Sequence, residues 1–551
     1  MFNIAYLGPH DYTEEQLLAR LEETPPIIAV DTETASQTGK RPDGRYDPHL
    51  ITGLSDGRIL PEIPFIDTDA EPIAWNLPFD SGVTGTWDAN WHDGKMMAHL
   101  TGEADTSMKG CATRHLGRPM MEYDEELRVK AAGKIAQGIG VEDDDVFRFS
   151  AYCVQDAIAH KETFEALWRK ADEGVRGLYT RVEHPMLRLY CKWTATGVFR
   201  LDKEAAIKKR DVVDARIREM RQELLAATGV DSVNKHAQLA AAIGVPSTEA
   251  KYIKGIWGKL RKKQKDTLVL VKTLRSAERQ VSTYLDAWLA WDDPLLSTIW
   301  RPTAAWTGRP GSADFNLQNV PGPCGNCKLC IAEREELCAL NLKPLLLAPE
   351  DKVLLEGDNS QAELRVAAHN SQDPAMLQAF REGLVIDGER TYDLHLWAQK
   401  TLGIPSRRDA KIAVLATFYG SGSAPEEIMT QLRATFGGYT RWANKVKHFS
   451  IVPGLFGRKM YVPPHPNASY REREAVNCPS QGGAVDVLKI QCNAVERAGF
   501  DTRHAIHDSC LVAVDEKEAT RDTMENFREV MEGAVKLSVP MRVGVGVWPK
   551  H

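Results

Sequence analysis

The chain has 551 residues and a mass of 61.4 kDa, with 43% hydrophobic and 26% charged residues. These values exclude a fibrous or wholly disordered protein and predict about three to five structural units. The net charge of −7, from 69 basic and 76 acidic residues, excludes a generally basic, indiscriminate polyanion binder but leaves room for a local basic stripe. No apolar run approaches the ~18 residues of a membrane span. The opening Met1-Phe2-Asn3-Ile4 lacks the basic start of a secretory leader, and ten cysteines are too sparse for a disulfide scaffold. A cytoplasmic protein with no membrane partner is expected.

In chain order, residues 1–170 alternate short apolar runs with Gly, Pro and Asp turns before a helical stretch, which reads as α/β. Residues 171–345 are mostly helical in period, as at 212–227 and 268–291. They include the run 251–265, which carries seven basic residues and no acidic one. That run reads either as a solvated helix face or as a phosphate contact through Lys259, Arg261, Lys262 and Lys263. A Cys-rich insert occupies 322–340. Residues 346–551 mix strand-like runs such as Val353-Leu354-Leu355 and Leu511-Val512-Ala513-Val514 with long helical stretches.

Two sets of carboxylates stand out. In the first, Ile27-Ile28-Ala29-Val30 reads as a short strand, and Asp31 and Glu33 follow on one side of the extended chain. Asp80 comes after the apolar Ile73-Ala74-Trp75. Tyr152 and Asp156 are four apart, on one helix face. Each acid alone could be a solvated carboxylate, but carboxylates gathered at strand ends suit a hard divalent cation. In the second set, Val353-Leu354-Leu355-Glu356-Gly357-Asp358 is an apolar strand ending in an acid. His504-Ala505-Ile506-His507-Asp508-Ser509, before the run 510–514, predicts a β-hairpin with Asp508 at its turn. Between these lies a predicted helix with Ser406 as cap, Asp409 completing a capping box and Gly420 as stop. Along it Arg407, Lys411, Leu415 and Tyr419 step by four and form one stripe. Two cations and an aromatic ring on one stripe suit a nucleotide triphosphate. Finally, Cys324, Cys327, Cys330 and Cys338 have the spacing of a four-thiolate site for Zn²⁺ or a [4Fe–4S] cluster. Four ordinary thiols are the alternative.

These motifs resemble two known patterns. The order DxE, NxxxD and YxxxD, in Asp31/Glu33, Asn76/Asp80 and Tyr152/Asp156, resembles the DEDDy 3′–5′ exonucleases. The remainder resembles the family A DNA polymerases of the bacterial DNA polymerase I type. The segment 358–365 is similar to motif A, 407–420 to motif B on the fingers helix, and His507-Asp508 to motif C. Thr307-Gly308-Arg309 with Asn316-Leu317-Gln318-Asn319-Val320-Pro321 is similar to the primer-template segment. Arg473 with Asn477-Cys478-Pro479-Ser480-Gln481-Gly482 is similar to the R…NxPxQG segment. Asp393-Leu394-His395 matches an element of the nucleotide site, and the ending from Trp548 to His551 resembles that of the family.

The resemblance implies an RNase H-like exonuclease domain over 1–170, the start of palm and thumb over 171–345, and palm and fingers over 346–551. It implies DNA-directed DNA synthesis with 3′–5′ proofreading, on primer-template DNA with dNTPs as substrates. Asp358 and Asp508 at one site, and Asp31, Glu33, Asp80 and Asp156 at the other, would each hold two Mg²⁺ ions, which Mn²⁺ could replace. Tyr152 would orient the attacking water. Arg407, Lys411 and His395 would grip the triphosphate, Leu415 and Tyr419 would belong to the dNTP site with Tyr419 near the templating position, and Glu363 would exclude a 2′-hydroxyl. Arg309, Asn316, Gln318, Asn319, Arg473, Asn477, Gln481 and His507 would track the DNA. The basic run 251–265 falls where the family has its thumb. Three departures from the pattern are Asn359 for the usual Tyr, Ser509 for the usual Glu, and Leu415 for an aromatic residue. The short stretch from Tyr419 to Val462 predicts trimmed fingers. With no 5′-nuclease expected ahead of the exonuclease, the arrangement resembles a compact bacteriophage replicative enzyme. A helicase, single-strand-binding protein or processivity factor would be natural partners. A single-subunit RNA polymerase and a catalytically inactive, metal-stabilised nucleic-acid-binding protein are the competing readings. Glu363 and the exonuclease motifs argue against the first, and the intact acids against the second.

Overall fold

The computed structural model describes residues 27–34, 49–54, 59–60, 71–78, 91–117, 120, 124–140, 142–322, 341–422 and 424–549. The strand Ile27–Thr34 lies at the centre of a five-stranded sheet. It pairs antiparallel with His49–Leu54 and parallel with Glu71–Ala74, while Ile59–Leu60 and His92–Asp93 form the edges. The 27-residue helix Asp144–Lys170 packs against Ile27–Thr34 and His49–Leu54. Its start is fixed by Asp143, whose carboxylate accepts from the backbone N–H groups of Asp145 and Val146. Acids 144 and 145 in the first turn, and Arg169 and Lys170 in the last, oppose the helix dipole favourably.

A second, four-stranded antiparallel sheet has the order Asp501–Ile506, Ser509–Asp515, Lys352–Asn359, Val543–Val547. Lys352–Asn359 is therefore interior, paired on both sides, and its Leu354 and Leu355 are fully buried. Gly357 is where the helix Arg521–Gly533 comes closest. A Cβ there would lie 2.4 Å from the Met531 sulfur and 2.9 Å from the Phe527 ring, so no larger residue fits. The 30-residue helix Ala468–Arg497, with Pro479 inside it, is buried along most of its length.

Compactness divides the chain into two units. One joins 1–197, 297–314 and 351–548; the other consists chiefly of 198–296 and 315–350. The second unit is built on the helices Lys203–Thr228 and Lys262–Gln280, cross-braced by Arg221 to Glu278 at 2.7 Å. The predicted helix 212–227 lies inside the first of these. The predicted helix 268–291 is interrupted: after Gln280 the chain makes a π-turn over Val281–Leu285 before the short helix Asp286–Leu289. The basic run 251–265 is not one helix face. It spans Ala250–Ile256, a 3₁₀ turn Trp257–Lys259, a break at Leu260, and the start of Lys262–Gln280.

Candidate active site

The two acids expected on one sheet do meet there. Asp358, near the end of Lys352–Asn359, pairs in register with Ser509, and the Ser509 hydroxyl donates to Asp358 Oδ1 at 2.9 Å. His507 and Asp508 form the two-residue turn of the predicted hairpin, with His507 at φ 52°, the left-handed conformation such turns require. Burial, followed by repulsion from Glu363 and Asp358 against the pull of Arg309 and Lys411, pushes the Asp508 carboxyl up to about 6. Carboxylates gathered at the cost of mutual repulsion fit a divalent cation. Among the described residues no cluster of three or more His, Cys, Asp or Glu could hold a metal by itself. Two carboxylates, with water and substrate phosphates completing the shell, is the usual manner of Mg²⁺ at phosphoryl-transfer sites.

Glu363, in the first turn of the helix Ala362–Ser371, bridges two groups. It accepts from the Arg309 guanidinium and from the Tyr419 hydroxyl. Burial, and then the Glu363 charge, hold the Tyr419 phenol well above its ordinary pKa. Tyr419 ends the helix Arg407–Tyr419, whose predicted caps are present: the Ser406 hydroxyl accepts from Asp409 N at 3.0 Å and donates to its carboxylate at 2.7 Å, and Gly420 is left-handed. Ala410, Ala413, Val414 and Phe418 bury one face of this helix against Leu394, Phe436 and Tyr439. Of the stripe, Arg407 and Lys411 are exposed, while Leu415 and Tyr419 are half-buried and pack against this core. Arg407 is held by Asp393 at 2.7 Å. His395 lies at the start of the helix Leu394–Thr401 and is buried. Burial lowers its pKa to about 4, so it is neutral at neutral pH, and its Nδ1 is buried without a hydrogen-bond partner.

Arg473, Asn477 and Gln481 step by four along Ala468–Arg497 and are all half-buried, so they share one line on that helix. Asn316, Gln318 and Asn319 belong to the second unit. There the Asn316 side-chain oxygen accepts from Asn319 N and Nδ2 at 3.1 and 3.0 Å, closing a local turn. Lys259, Arg261, Lys262 and Lys263 are exposed. Lys262 and Lys263 occupy the first turn of their helix, where the dipole disfavours cations. Helix stability therefore does not explain them. On the phosphate-contact reading, neutralising all four should weaken DNA binding about equally for every sequence and flatten its log–log salt dependence by up to ~0.9 per lost contact. Fluorescence anisotropy titrations at several salt concentrations measure this, and an unchanged slope would return the run to plain solvation.

In the first set, Asp31 pairs in register with Gly53 and Glu33 with Ile51. The helix packed on their strand carries Tyr152 and Asp156 one turn apart, both buried. The Lys109 ammonium lies 5.0 Å from the Tyr152 ring centroid. Asp80 lies outside the described residues, as do Cys324, Cys327, Cys330 and Cys338. Cysteines 111, 153, 191, 478, 492 and 510 are buried.

A buried charge network went unread in the sequence. Glu183, Arg458, Asp486 and Lys489 are at most 2% exposed. Lys489 donates to both Glu183 oxygens at 2.8 Å, and Arg458 donates to Glu183 and, at 2.6–3.0 Å, to Asp486. Burial works to raise the Glu183 pKa, but the charges of Lys489 and Arg458 overturn it and bring the group down to about 2. The network grips the segment before Arg309. Lys489 donates to Gly308 O at 3.0 Å, and Gly308, at φ 86°, lies so close to the Arg458 guanidinium that a Cβ would sit 2.6 Å from it. The only sequence signal was Gly308 itself.

One sheet thus brings Asp358 and Asp508 together, within electrostatic reach of Arg309 and Lys411. Residues 218–550 match DNA polymerase family A, and the chain belongs to that family. It is 26% identical over 494 residues to DNA polymerase I of Pseudomonas aeruginosa, covering 80% of this chain and 51% of that protein. It is 29% identical over 431 residues to the thermostable DNA polymerase I of Thermus thermophilus, covering 69% and 48%. The chain thus spans about half the length of the curated relatives it matches. Its fold is similar to that of the polymerase domain of Pol1 from M. smegmatis, solved in complex with DNA primer-template and dNTP. The TM-score is 0.74 with 19% identity, over 96% of both chains.

Proposed function

We propose that this chain copies DNA, extending a primer on a template with dNTPs. The observation that carries the reading is that Asp358, paired with Ser509, and the turn residue Asp508 come together on one sheet, beside Glu363, Arg309 and the helix bearing Arg407, Lys411 and Tyr419. Asp358 and Asp508 would hold Mg²⁺, which when bound offsets charge on the entering and leaving oxygens. Arg407, once drawn from Asp393, and Lys411 would meet the triphosphate as cations. His395, kept neutral by burial, would meet it as a hydrogen-bonding group, its Nδ1 having no partner among the described residues. Glu363 would close the space at the sugar, while Arg309, Arg473, Asn477 and Gln481 would follow the duplex. A Mg²⁺-dependent primer-extension gel tests the reading, and a chain that extends no primer would refute it.

Removing the Glu363 side chain should admit ribonucleotides. Glu363→Ala is expected to raise rNTP incorporation relative to dNTP by roughly 10- to 200-fold, the effect of a pocket opened by a few heavy atoms. Single-nucleotide kinetics check it, and an unchanged ratio would assign Glu363 only the anchoring of Arg309 and Tyr419.

The same proposal includes a 3′–5′ proofreading site in an RNase H-like domain over 1–170, with Asp31, Glu33, Asp80 and Asp156 as metal ligands and Tyr152 as the residue that orients water. The segments 171–345 and 346–551 would supply palm, thumb and fingers. Cys324, Cys327, Cys330 and Cys338 would hold Zn²⁺ or a [4Fe–4S] cluster, and the zinc or iron content per chain separates the two. A bacteriophage replicative role in a bacterial cytoplasm, with replisome partners, completes the reading.

A further inference from the structure

Two of the departures from the family pattern, Asn359 and Ser509, each follow one of the two aspartates in the chain, and the structure gives each a defined task. Asn359 follows Asp358 directly. Its backbone N–H and its side-chain Nδ2 both donate to the carbonyl of Asp508, at 3.2 and 3.0 Å. The turn that carries Asp508 is therefore tied twice to the strand that carries Asp358. The Asn359 amide is itself clamped by Gln491, 132 residues away on the helix Ala468–Arg497. Asn359 Nδ2 donates to Gln491 Oε1 at 2.7 Å, and Gln491 Nε2 donates back to Asn359 Oδ1 at 2.9 Å. The second Gln491 proton goes to Met531 O at 3.1 Å. Each amide thus spends both donors, and the carbonyls of Asp508 and Met531 allow only this orientation of the pair. Asn359 is 4% exposed, Gln491 0% and Ser509 3%. In so dry a setting a fully satisfied pair is rigid, and a half-satisfied one costly. Ser509 completes the arrangement from the opposite strand by donating to Asp358 Oδ1.

We propose that Asn359, Gln491 and Ser509 are positioning residues that fix the two aspartates relative to one another: the amide pair holds the Asp508 turn, and the Ser509 hydroxyl sets the rotation of the Asp358 carboxylate. The proposal rests on the polymerase reading for its purpose, since it is there that two carboxylates must present oxygens to divalent cations at a fixed spacing. Its geometric content is independent of that reading. Hydrogen bonds to ligating carboxylates govern cation affinity, and losing one typically costs 10–100-fold in affinity or activity. Gln491 matters as much as the residues beside the aspartates, because without it the Asn359 side chain has no reason to keep its Nδ2 on the Asp508 carbonyl.

The test is a titration of the full chain with Mn²⁺ alone, followed by water-proton relaxation, in an Asp31→Ala/Glu33→Ala background so that the signal comes from the second set of acids. Asp358→Ala identifies that signal by removing it. Gln491→Leu, which leaves Asn359 Oδ1 without its donor and one Nδ2 proton without its acceptor, and Ser509→Ala, which deletes one oxygen, should each weaken Mn²⁺ binding about tenfold or more. The Mg²⁺ concentration for half-maximal primer extension should rise in parallel, with primer-template affinity unchanged. If Gln491→Leu does not fold, Ser509→Ala and Asn359→Ala carry the comparison. Wild-type Mn²⁺ affinity in the folded variants overturns the proposal. A parent chain that extends no primer overturns the polymerase reading instead, and the Mn²⁺ comparison still decides whether these residues position the aspartates.

Discussion

Asp358→Ala and Asp508→Ala should each abolish primer extension while leaving 3′–5′ digestion at its wild-type rate. Either substitution takes away one of the two carboxylates that the site offers a divalent cation, and no third described acid, His or Cys completes a cluster that could replace it. Cation stabilisation of the transferred phosphate is worth several kcal/mol. At about 1.4 kcal/mol per decade, losing it predicts a drop of roughly a thousandfold or more in extension rate. Of the proposed exonuclease acids, Asp31 and Glu33 sit on a different sheet, on the strand Ile27–Thr34. The converse pair Asp31→Ala/Glu33→Ala should therefore stop digestion and spare extension. Gels with matched and mismatched 3′ ends read both activities at once. Excision of mismatches at the normal rate by the Asp31/Glu33 double variant would remove the exonuclease assignment without touching the polymerase one.

The largest expected loss of stability is at Glu183. Glu183→Ala leaves the Lys489 ammonium buried with Gly308 O as its remaining acceptor. Breaking a buried ion pair from one side typically costs 3–5 kcal/mol, so about that loss is expected in denaturant unfolding. Deprotonation of the stranded lysine sets the upper limit. Lys489→Met alone should cost less, because Glu183 keeps Arg458. Glu183→Leu combined with Lys489→Met should recover much of the loss, giving a large coupling energy in a double-mutant cycle. The pH dependence follows from the sign of the shift. The folded-state pKa of Glu183 is about 2 against an ordinary 4.5, so its contribution is complete above the unfolded value and fades as pH falls from there toward 2. The deficit of Glu183→Gln relative to the parent should accordingly shrink over that interval. A deficit independent of pH would mean that Glu183 acts by packing alone.

Sequence reading found what local pattern encodes. Strand-end acids, a capped helix with a four-residue stripe and a two-residue hairpin turn are all short-range features, and Asp358, Asp508 and 407–420 lie where those patterns predicted. What escaped was long-range and buried. Glu183 meets Arg458 across 275 positions and Lys489 across 306. Nothing near Glu183 in the chain distinguishes it from a solvated acid. Gln491 is equally silent, a polar residue in a helical stretch, until Asn359 is seen against it. The basic run 251–265 erred in the other direction. Its composition suggested one helix face, yet Leu260 and the new cap at Arg261, whose N–H donates to the Gln264 side chain at 3.0 Å, divide it between two helices. The π-turn over Val281–Leu285 likewise has no signature that periodicity can see.

The way the first unit is assembled sets a timetable for its synthesis. Its chain segments, 1–197, 297–314 and 351–548, are separated by those of the second unit. The strand Val543–Val547 closes one side of Lys352–Asn359, the strand that presents Asp358. A ribosome must therefore deliver nearly the whole of this chain before that strand has both neighbours. Until then the apolar flank of the half-built sheet, with Leu354 and Leu355 on it, is open to wrong partners. Contacts at such sequence separations make folding slow and expose it to aggregation. Nascent chains arrested before residue 543 should thus be protease-sensitive in the region of Asp358 and engage chaperones, whereas the second unit, whose two helices brace each other through Arg221 and Glu278, has its own packing partners earlier.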